Sequence, residues 1–258
     1  MTTVKDPRRV EMLREMGIAP LWTLRSAETS PEAAVSAPVP APQVSEPVAP
    51  AAGDVRTDIA GMDWAELKSC VAACTACALH AKRNKTVFGV GDEQADWLFV
   101  GEGPGADEDQ QGEPFVGQAG RLLDNMLAAI DLRRGRNVYI ANIVKCRPPG
   151  NRNPQPEEAQ ACSAYLQRQI ELVKPRLIVA LGKVAAVNLL GRDASIASLR
   201  GSVQDYRGIP LIVTYHPAYL LRTLQDKAKA WEDLCFALGT MSKLAIAPVV
   251  AALPLRGD

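Results

Sequence analysis

Trp97-Leu98-Phe99-Val100-Gly101-Glu102-Gly103-Pro104-Gly105 carries the clearest structural signal in the chain. Its apolar run is too short for a helix and ends in glycines, so it reads as a buried strand emptying into a tight loop. The glycines let a ligand approach the backbone closely, while Pro104 removes a donor and stiffens the loop. The loop presents one carboxylate, Glu102, and three more acids stand just beyond at Asp107, Glu108 and Asp109.

Three further apolar runs resemble the first: Val138–Ala141, Leu177–Leu181 and Leu211–Thr214. Helical patterns lie between them at Gln118–Ile130, Pro156–Val173 and Lys183–Leu190, and a last one runs from Lys229 to Leu244. Near-continuous apolar strands alternating with helices indicate a parallel sheet covered on both faces. The expectation is an α/β fold of three layers, αβα, around a central, mainly parallel four-stranded sheet. A hairpin is also expected, Ser202–Tyr206 turning through Arg207-Gly208 into Ile209–Thr214. Open parallel sheets bind ligands at the carboxyl ends of their strands. At those ends stand Glu102-Gly103, Asn142, Gly182-Lys183 and His216, strand by strand. A carboxylate, an amide and an imidazole are thus expected on one rim.

The whole chain sets the frame for that domain. With 258 residues, 47% hydrophobic and 22% charged, it holds one sizeable globular domain plus an extension. Residues 1–25 carry a short helical pattern, a possible partner-binding peptide. Residues 26–57 are rich in Pro and Ala and read as a disordered linker. The globular domain is assigned to 58–245 and a tail to 246–258. No apolar run reaches membrane-span length and no secretory pattern opens the chain, so a soluble, cytoplasmic protein is expected. The formal net charge is zero, so any polyanionic partner has to be met by local basic clusters.

Six cysteines in such a chain point to metal ligands more than to a secreted disulfide scaffold. Cys74 and Cys77 form a C-x-x-C, and Cys146 and Cys162 come later with fifteen residues between them. The second knuckle of a zinc ribbon is absent, and cysteine-only ligation with irregular spacing suits an iron–sulfur cluster at least as well. Thioredoxin-like chemistry is weaker still, because the pair does not open a helix after a strand. Unliganded, buried cysteines remain the plain alternative. Cys70 and Cys235 have no spacing partner and read as packing residues.

In order along the chain stand Cys74-x-x-Cys77, Gly101-Glu102-Gly103-Pro104-Gly105, Pro114-Phe115-Val116-Gly117, Asn142-Ile143-Val144-Lys145-Cys146-Arg147-Pro148 and His216-Pro217-Ala218-Tyr219-Leu220-Leu221-Arg222. Together they resemble the family 4, iron–sulfur uracil-DNA glycosylases, over roughly Cys70 to Gly239. The resemblance implies a [4Fe-4S] cluster on Cys74, Cys77, Cys146 and Cys162, and hydrolysis of the bond between uracil and deoxyribose in DNA. By motif, Glu102 and Gly103 line the pocket, Phe115 stacks on uracil, Asn142 reads its polar edge and His216 faces its carbonyl. The expected partner, as the resemblance implies, is uracil-containing DNA, single- or double-stranded, and a monomer is expected.

Those residue types suit the reaction independently. A base must leave the duplex and be held, and an aromatic face recovers part of that cost. Asn142 can donate and accept at once, matching uracil and leaving cytosine unpaired. A donor from His216 would stabilise charge on the leaving base. Glu102, or secondarily Glu108, would orient water near the sugar; at Gly103 no side chain can act as base. Lys82, Arg83 and Lys85, then Lys145, Arg147 and Arg152, then Arg200 and Arg222 offer phosphate contacts. Leu220 and Leu221, with Arg222, could wedge into the gap left by a flipped nucleotide.

Three rival readings compete with this one. A dinucleotide site on Gly101-x-Gly103-x-x-Ala106 is disfavoured by the acids beyond it, where a pyrophosphate needs positive potential. A non-turnover or covalently trapping relative would bind uracil-DNA without excision; trapping variants, as the resemblance implies, use an extra loop histidine as nucleophile, and residues 147–156 contain none. An iron–sulfur interaction module serving DNA repair or replication is compatible with catalysis and separated from it by assay.

Overall fold

The computed structural model describes residues 59–250, with side chains to 244. The chain divides into two units, Met1–Ala51 and Ala52–Asp258, and the described residues belong to the second. The helix expected in 1–25 and the linker over 26–57 lie outside the described residues.

A helix α1 (Trp64–Ala73) opens the domain, held by a reciprocal cap in which the Asp63 carboxylate accepts from the Glu66 amide and Glu66 accepts from that of Asp63. Next come β1 (Val90–Gly91), β2 (Trp97–Gly101), α2 (Ala106–Gln111), α3 (Gln118–Ala128) and β3 (Val138–Asn142). The second half comprises α4 (Pro156–Val173), β4 (Leu177–Leu181), α5 (Lys183–Leu190), α6 (Ile196–Leu199), β5 (Gln204–Tyr206), β6 (Ile209–Thr214), α7 (Pro217–Leu220) and α8 (Lys227–Val250).

One six-stranded sheet carries the order β1-β3-β2-β4-β6-β5. Its four inner strands are parallel, and β1 and β5 close the edges antiparallel. The four-stranded expectation is therefore corrected to six. The hairpin supplies β5, and β1 is only two residues long and ends in glycine, too short for an apolar run. The last helix likewise continues to Val250, into the segment expected as a tail.

Strands β2, β3 and β4 are buried at every position, and alternation splits their side chains between two cores. Leu98, Val100, Tyr139, Ile178 and Ala180 pack with Leu166 and Ile170 of α4 and Ala185 of α5. Trp97, Phe99, Ile140, Val179 and Leu181 face Leu123 and Leu127 of α3 and Ala237 of α8. That two-sided covering is the three-layer αβα arrangement. Register then sets the rim: Gly101 pairs with Asn142 and Leu181 with Thr214, so the strands end level.

Candidate active site

Beyond its last β2 pairing, the chain stays zipped to β3, with the Ile143 amide donating to Gly101 O at 3.0 Å and that of Val144 to Glu102 O at 3.2 Å. Glu102 and Asn142 are thus held side by side at the carboxyl edge. A Cβ at Gly101 would lie 2.5 Å from both Asn142 Oδ1 and the Phe115 ring, so only glycine lets those two side chains meet there. The result is a cavity of about 710 Å³ at the strand ends, within the range of ligand sites. Glu102, Gly103, Glu108, Phe115, Asn142, His216 and Arg222 all line it.

Asn142 is 2% exposed, and its Oδ1 is buried without a hydrogen-bond partner. An orphaned buried acceptor costs about 1–3 kcal/mol, which a ligand N–H would recover. His216 borders the cavity and is half-buried. Burial, reinforced by Arg222 and opposed by Glu108, pushes its imidazole down to about 4, so it is neutral near pH 7. Its Nδ1 accepts the Ala218 amide at 3.1 Å, which leaves the proton on Nε2 as a donor. The Phe115 ring lies 5.5 Å from the imidazole, tilted by 32°.

Phe115 holds a left-handed backbone, φ 56°, a conformation that costs a bulky residue about 1–3 kcal/mol and needs enforcement. Enforcement comes from two sides. Glu108 accepts from the amides of Val116 and Gly117 at 3.0 and 3.1 Å and, through its other oxygen, from Gly105 at 3.0 Å. Arg134 donates to the carbonyls of Pro114 and Phe115, both at 2.7 Å, and is itself steadied by Asp124 at 3.0 Å. Gly120 completes the clamp, since a Cβ there would lie 1.8 Å from Phe115 O. Sequence reasoning missed Arg134 and Gly120. A glycine inside the α3 pattern was the available signal for the second; Arg134, among Arg133 and Arg136, carried none.

Glu108 is therefore a loop clamp with both oxygens engaged, which argues against its secondary catalytic role. Glu102 is half-buried in the cavity wall, and burial raises its carboxyl above the usual range. Gly103 faces Val144, whose Cγ2 would stand 2.8 Å from an added Cβ.

A second, narrow cavity gathers all four cysteines of the sequence pattern, Cys74, Cys77, Cys146 and Cys162. Among the described residues no three His, Cys, Asp or Glu side chains are arranged to hold a single metal ion. The four thiols ring a space instead. Cys162 Sγ accepts the Lys145 amide at 3.4 Å, Cys146 Sγ accepts Arg83 at 3.2 Å and Cys74 Sγ accepts the Ala76 amide at 3.5 Å. His80 borders the cavity but turns Nδ1 onto Cys77 O at 2.8 Å. Burial raises the Cys146 thiol and pushes Cys162 up to about 11, so a metal would have to displace their protons. Soft sulfur donors with N–H groups aimed at three of them fit a thiolate-bound cluster. Cys70 packs against the α4 side of the core, while Cys235 is exposed on α8 and not a core residue.

Four basic or wedge assignments are corrected. Leu220 is 1% exposed, in a core with Met126, Ile130 and Leu234, so it cannot enter DNA. Arg200 pairs with Asp233 at 2.7 Å and lies over the Tyr215 ring at 5.1 Å. The Arg83 guanidinium is taken up by Cys74 O, Ala72 O and Cys146 Sγ. Lys145 is fully buried, and that burial pushes its ammonium down to about 8. Lys82, Lys85 and Arg222 are exposed, as is Leu221, while Arg147 is half-buried with Nε on Asn151 at 2.7 Å.

With this geometry in place, the chain can be set beside known proteins. Residues 88–235 match the family model described as the Uracil DNA glycosylase superfamily. The type-4 uracil-DNA glycosylase of Archaeoglobus fulgidus is 47% identical over 159 residues, covering 58% of this chain and 79% of that protein. That of Thermotoga maritima is 47% identical over 161 residues, with 62% and 83% covered. That of Pyrobaculum aerophilum is 42% identical over 186 residues, with 69% and 94% covered. A family model spanning more than half the chain, and relatives matched over most of their length, make this protein a member of the uracil DNA glycosylase superfamily, of its type-4 family.

Proposed function

We propose that the protein hydrolyses the N-glycosidic bond of deoxyuridine in DNA, releasing uracil and leaving an abasic site for base excision repair. The single observation that carries this reading is the buried, unpartnered Asn142 Oδ1 beside a neutral His216 in one cavity. Uracil flipped from the helix brings an N3–H to that oxygen and an O4 to the Asn142 amide nitrogen. Cytosine has no N3–H and presents a donor at position 4, so it leaves both groups unpaired in a buried site. Phe115, held in its left-handed turn, supplies the stacking face.

As the bond from N1 to C1′ breaks, its electron pair stays on uracil and spreads to O2. The Nε2–H of His216 donates to O2 and stabilises that anion without a full proton transfer. Glu102, in the same cavity wall, is the carboxylate that in its ionised form orients water toward C1′ and takes up its proton. Water adds its oxygen to C1′, and uracil leaves with the bonding pair. Leu221 replaces Leu220 as the wedge, and Lys82, Lys85, Arg147 and Arg222 supply the phosphate contacts.

Cys74, Cys77, Cys146 and Cys162 would hold a [4Fe-4S] cluster, which when bound would tie the segment after α1 to the segment after β3 and to α4. The reading places a monomeric enzyme in the cytoplasm. Among the described residues no helix is long and apolar enough to cross a membrane.

The test is an oligonucleotide carrying one uracil, single-stranded or opposite guanine, incubated with the purified protein. Alkali-labile sites at the uracil together with free uracil are expected. Binding without release of uracil would overturn the hydrolytic reading.

A further inference from the structure

We infer that Lys145 is a positioning residue for base recognition, its buried ammonium fixing the strand end that presents Asn142. The inference rests on the reading of Asn142 as the group that meets the base. Lys145 lies three residues beyond Asn142 and is 1% exposed. Its Nζ donates to the main-chain carbonyl of Asn142 at 2.9 Å and to Gln169 Oε1 at 2.6 Å. Gln169, fully buried on α4, passes the tie onward, donating from Nε2 to Phe88 O at 2.9 Å and to the Tyr139 hydroxyl at 3.3 Å. Asn142 is thereby lashed through one cation to α4 and to the segment ahead of β1.

The bond also closes the turn that leaves β3. The amides of Ile143 and Val144 are already held by the β2 loop, and that of Lys145 by Cys162 Sγ. The Asn142 carbonyl is the remaining handle on the residue whose side chain must be aimed, and the Lys145 side chain holds it. The Nζ hydrogen-bonds two neutral acceptors and no carboxylate, with Cys162 as the nearby group whose negative charge favours the ammonium, and an apolar side chain of similar length would pack there at less desolvation cost. The two hydrogen bonds, one of them onto the main chain of Asn142 itself, therefore point to orientation. Held this way, Asn142 lines the cavity with its Oδ1 buried and unpartnered, where free rotation of the strand end would let it find a partner elsewhere.

The experiment is a double-mutant cycle on the holoenzyme, pairing Lys145→Met with Asn142→Ala and reading single-turnover excision and inhibition by free uracil. Iron content and thermal melting are recorded for every variant. Lys145→Met is expected to lose about tenfold in both readouts with its iron retained, and to add no more than about twofold on top of Asn142→Ala. A loss of the same factor in both backgrounds would overturn the inference, as would full activity of Lys145→Met. If Lys145→Met is not recovered folded, Gln169→Leu releases the other end of the ammonium, and the same coupling to Asn142 is expected; additivity there overturns the inference equally. An Asn142→Ala variant of full activity would instead overturn the base-reading role itself, and the positioning role with it.

Discussion

The base cavity and the cysteine cavity begin four residues apart, at Asn142 and Cys146, and are finished in opposite ways. In the cysteine cavity three of the four sulfurs receive an N–H, from Arg83 and from two main-chain amides. In the base cavity a buried polar atom, Asn142 Oδ1, has no partner, and the His216 imidazole lining the same cavity keeps its Nε2–H free. A site whose own groups satisfy its ligand atoms suits a group that stays; a site left with unpaired groups suits one that arrives and departs. The strain obeys the same division. The left-handed Phe115 belongs to the base cavity, where Glu108, Arg134 and Gly120 hold it in advance of any ligand. Preorganisation of that kind means that, on the proposed reading, a flipped base would pay little to order the protein around it.

Damage to the permanent site puts this contrast under the greatest strain. Cys162→Ala is expected to abolish bound iron and sulfide and to lower the unfolding free energy by several kcal/mol, because metal binding of this type is coupled to folding. Base-cavity variants should keep their iron. A Cys162→Ala protein of unchanged melting and full iron would remove the distinction.

His216 tests the transient site. His216→Gln is expected to slow single-turnover excision by about 100- to 1000-fold, the usual cost of removing a donor to a developing anion. The same histidine gives a pH signature. Its folded value, about 4, lies below the ordinary value of about 6.5, so the unfolded chain binds the extra proton between the two. Stability should therefore rise with pH across that window, by roughly 3 kcal/mol in all, and fall as pH drops through it. Chemical denaturation at pH 4.5 and 7 should show this slope in the native protein and its loss in His216→Gln. Equal slopes would mean that the imidazole is not held neutral.

The smallest effects separate two adjacent leucines. Leu221→Ala should slow excision a few-fold on duplex substrate and leave single strands unaffected, as removal of a wedge requires. Leu220→Ala should cost about 2–5 kcal/mol of stability, with no preference between the two substrates. Denaturant midpoints and duplex-to-single-strand rate ratios decide between them.

These leucines mark where sequence reading reached its limit. The four inner strands were legible because Trp97–Val100 and its counterparts are buried on both faces, and burial on both faces writes an unbroken apolar run. The rim was legible with them, since Glu102, Asn142 and His216 each stand where such a run stops. The direction of a side chain on a four-residue helical turn is not written that way. Leu220 and Leu221 are alike in composition and differ only by the rotation of α7 onto the core of Met126 and Leu234. The cationic residues failed for a related reason. Arg83, Arg200 and Lys145 read as surface charge, but partners distant in sequence, Cys146, Asp233 and Gln169, draw them inward. Arg134, which clamps the turn of Phe115, was invisible because its targets are main-chain carbonyls, which every residue has.

The most direct measurement is single-turnover excision of uracil by Asn142→Ala beside the native protein, with iron content and melting temperature checked on both. A loss of about 100-fold with iron and stability retained is expected, since the variant removes the two groups proposed to match uracil's polar edge. Excision at the native rate would contradict the reading of the base cavity as a site left unpaired for uracil.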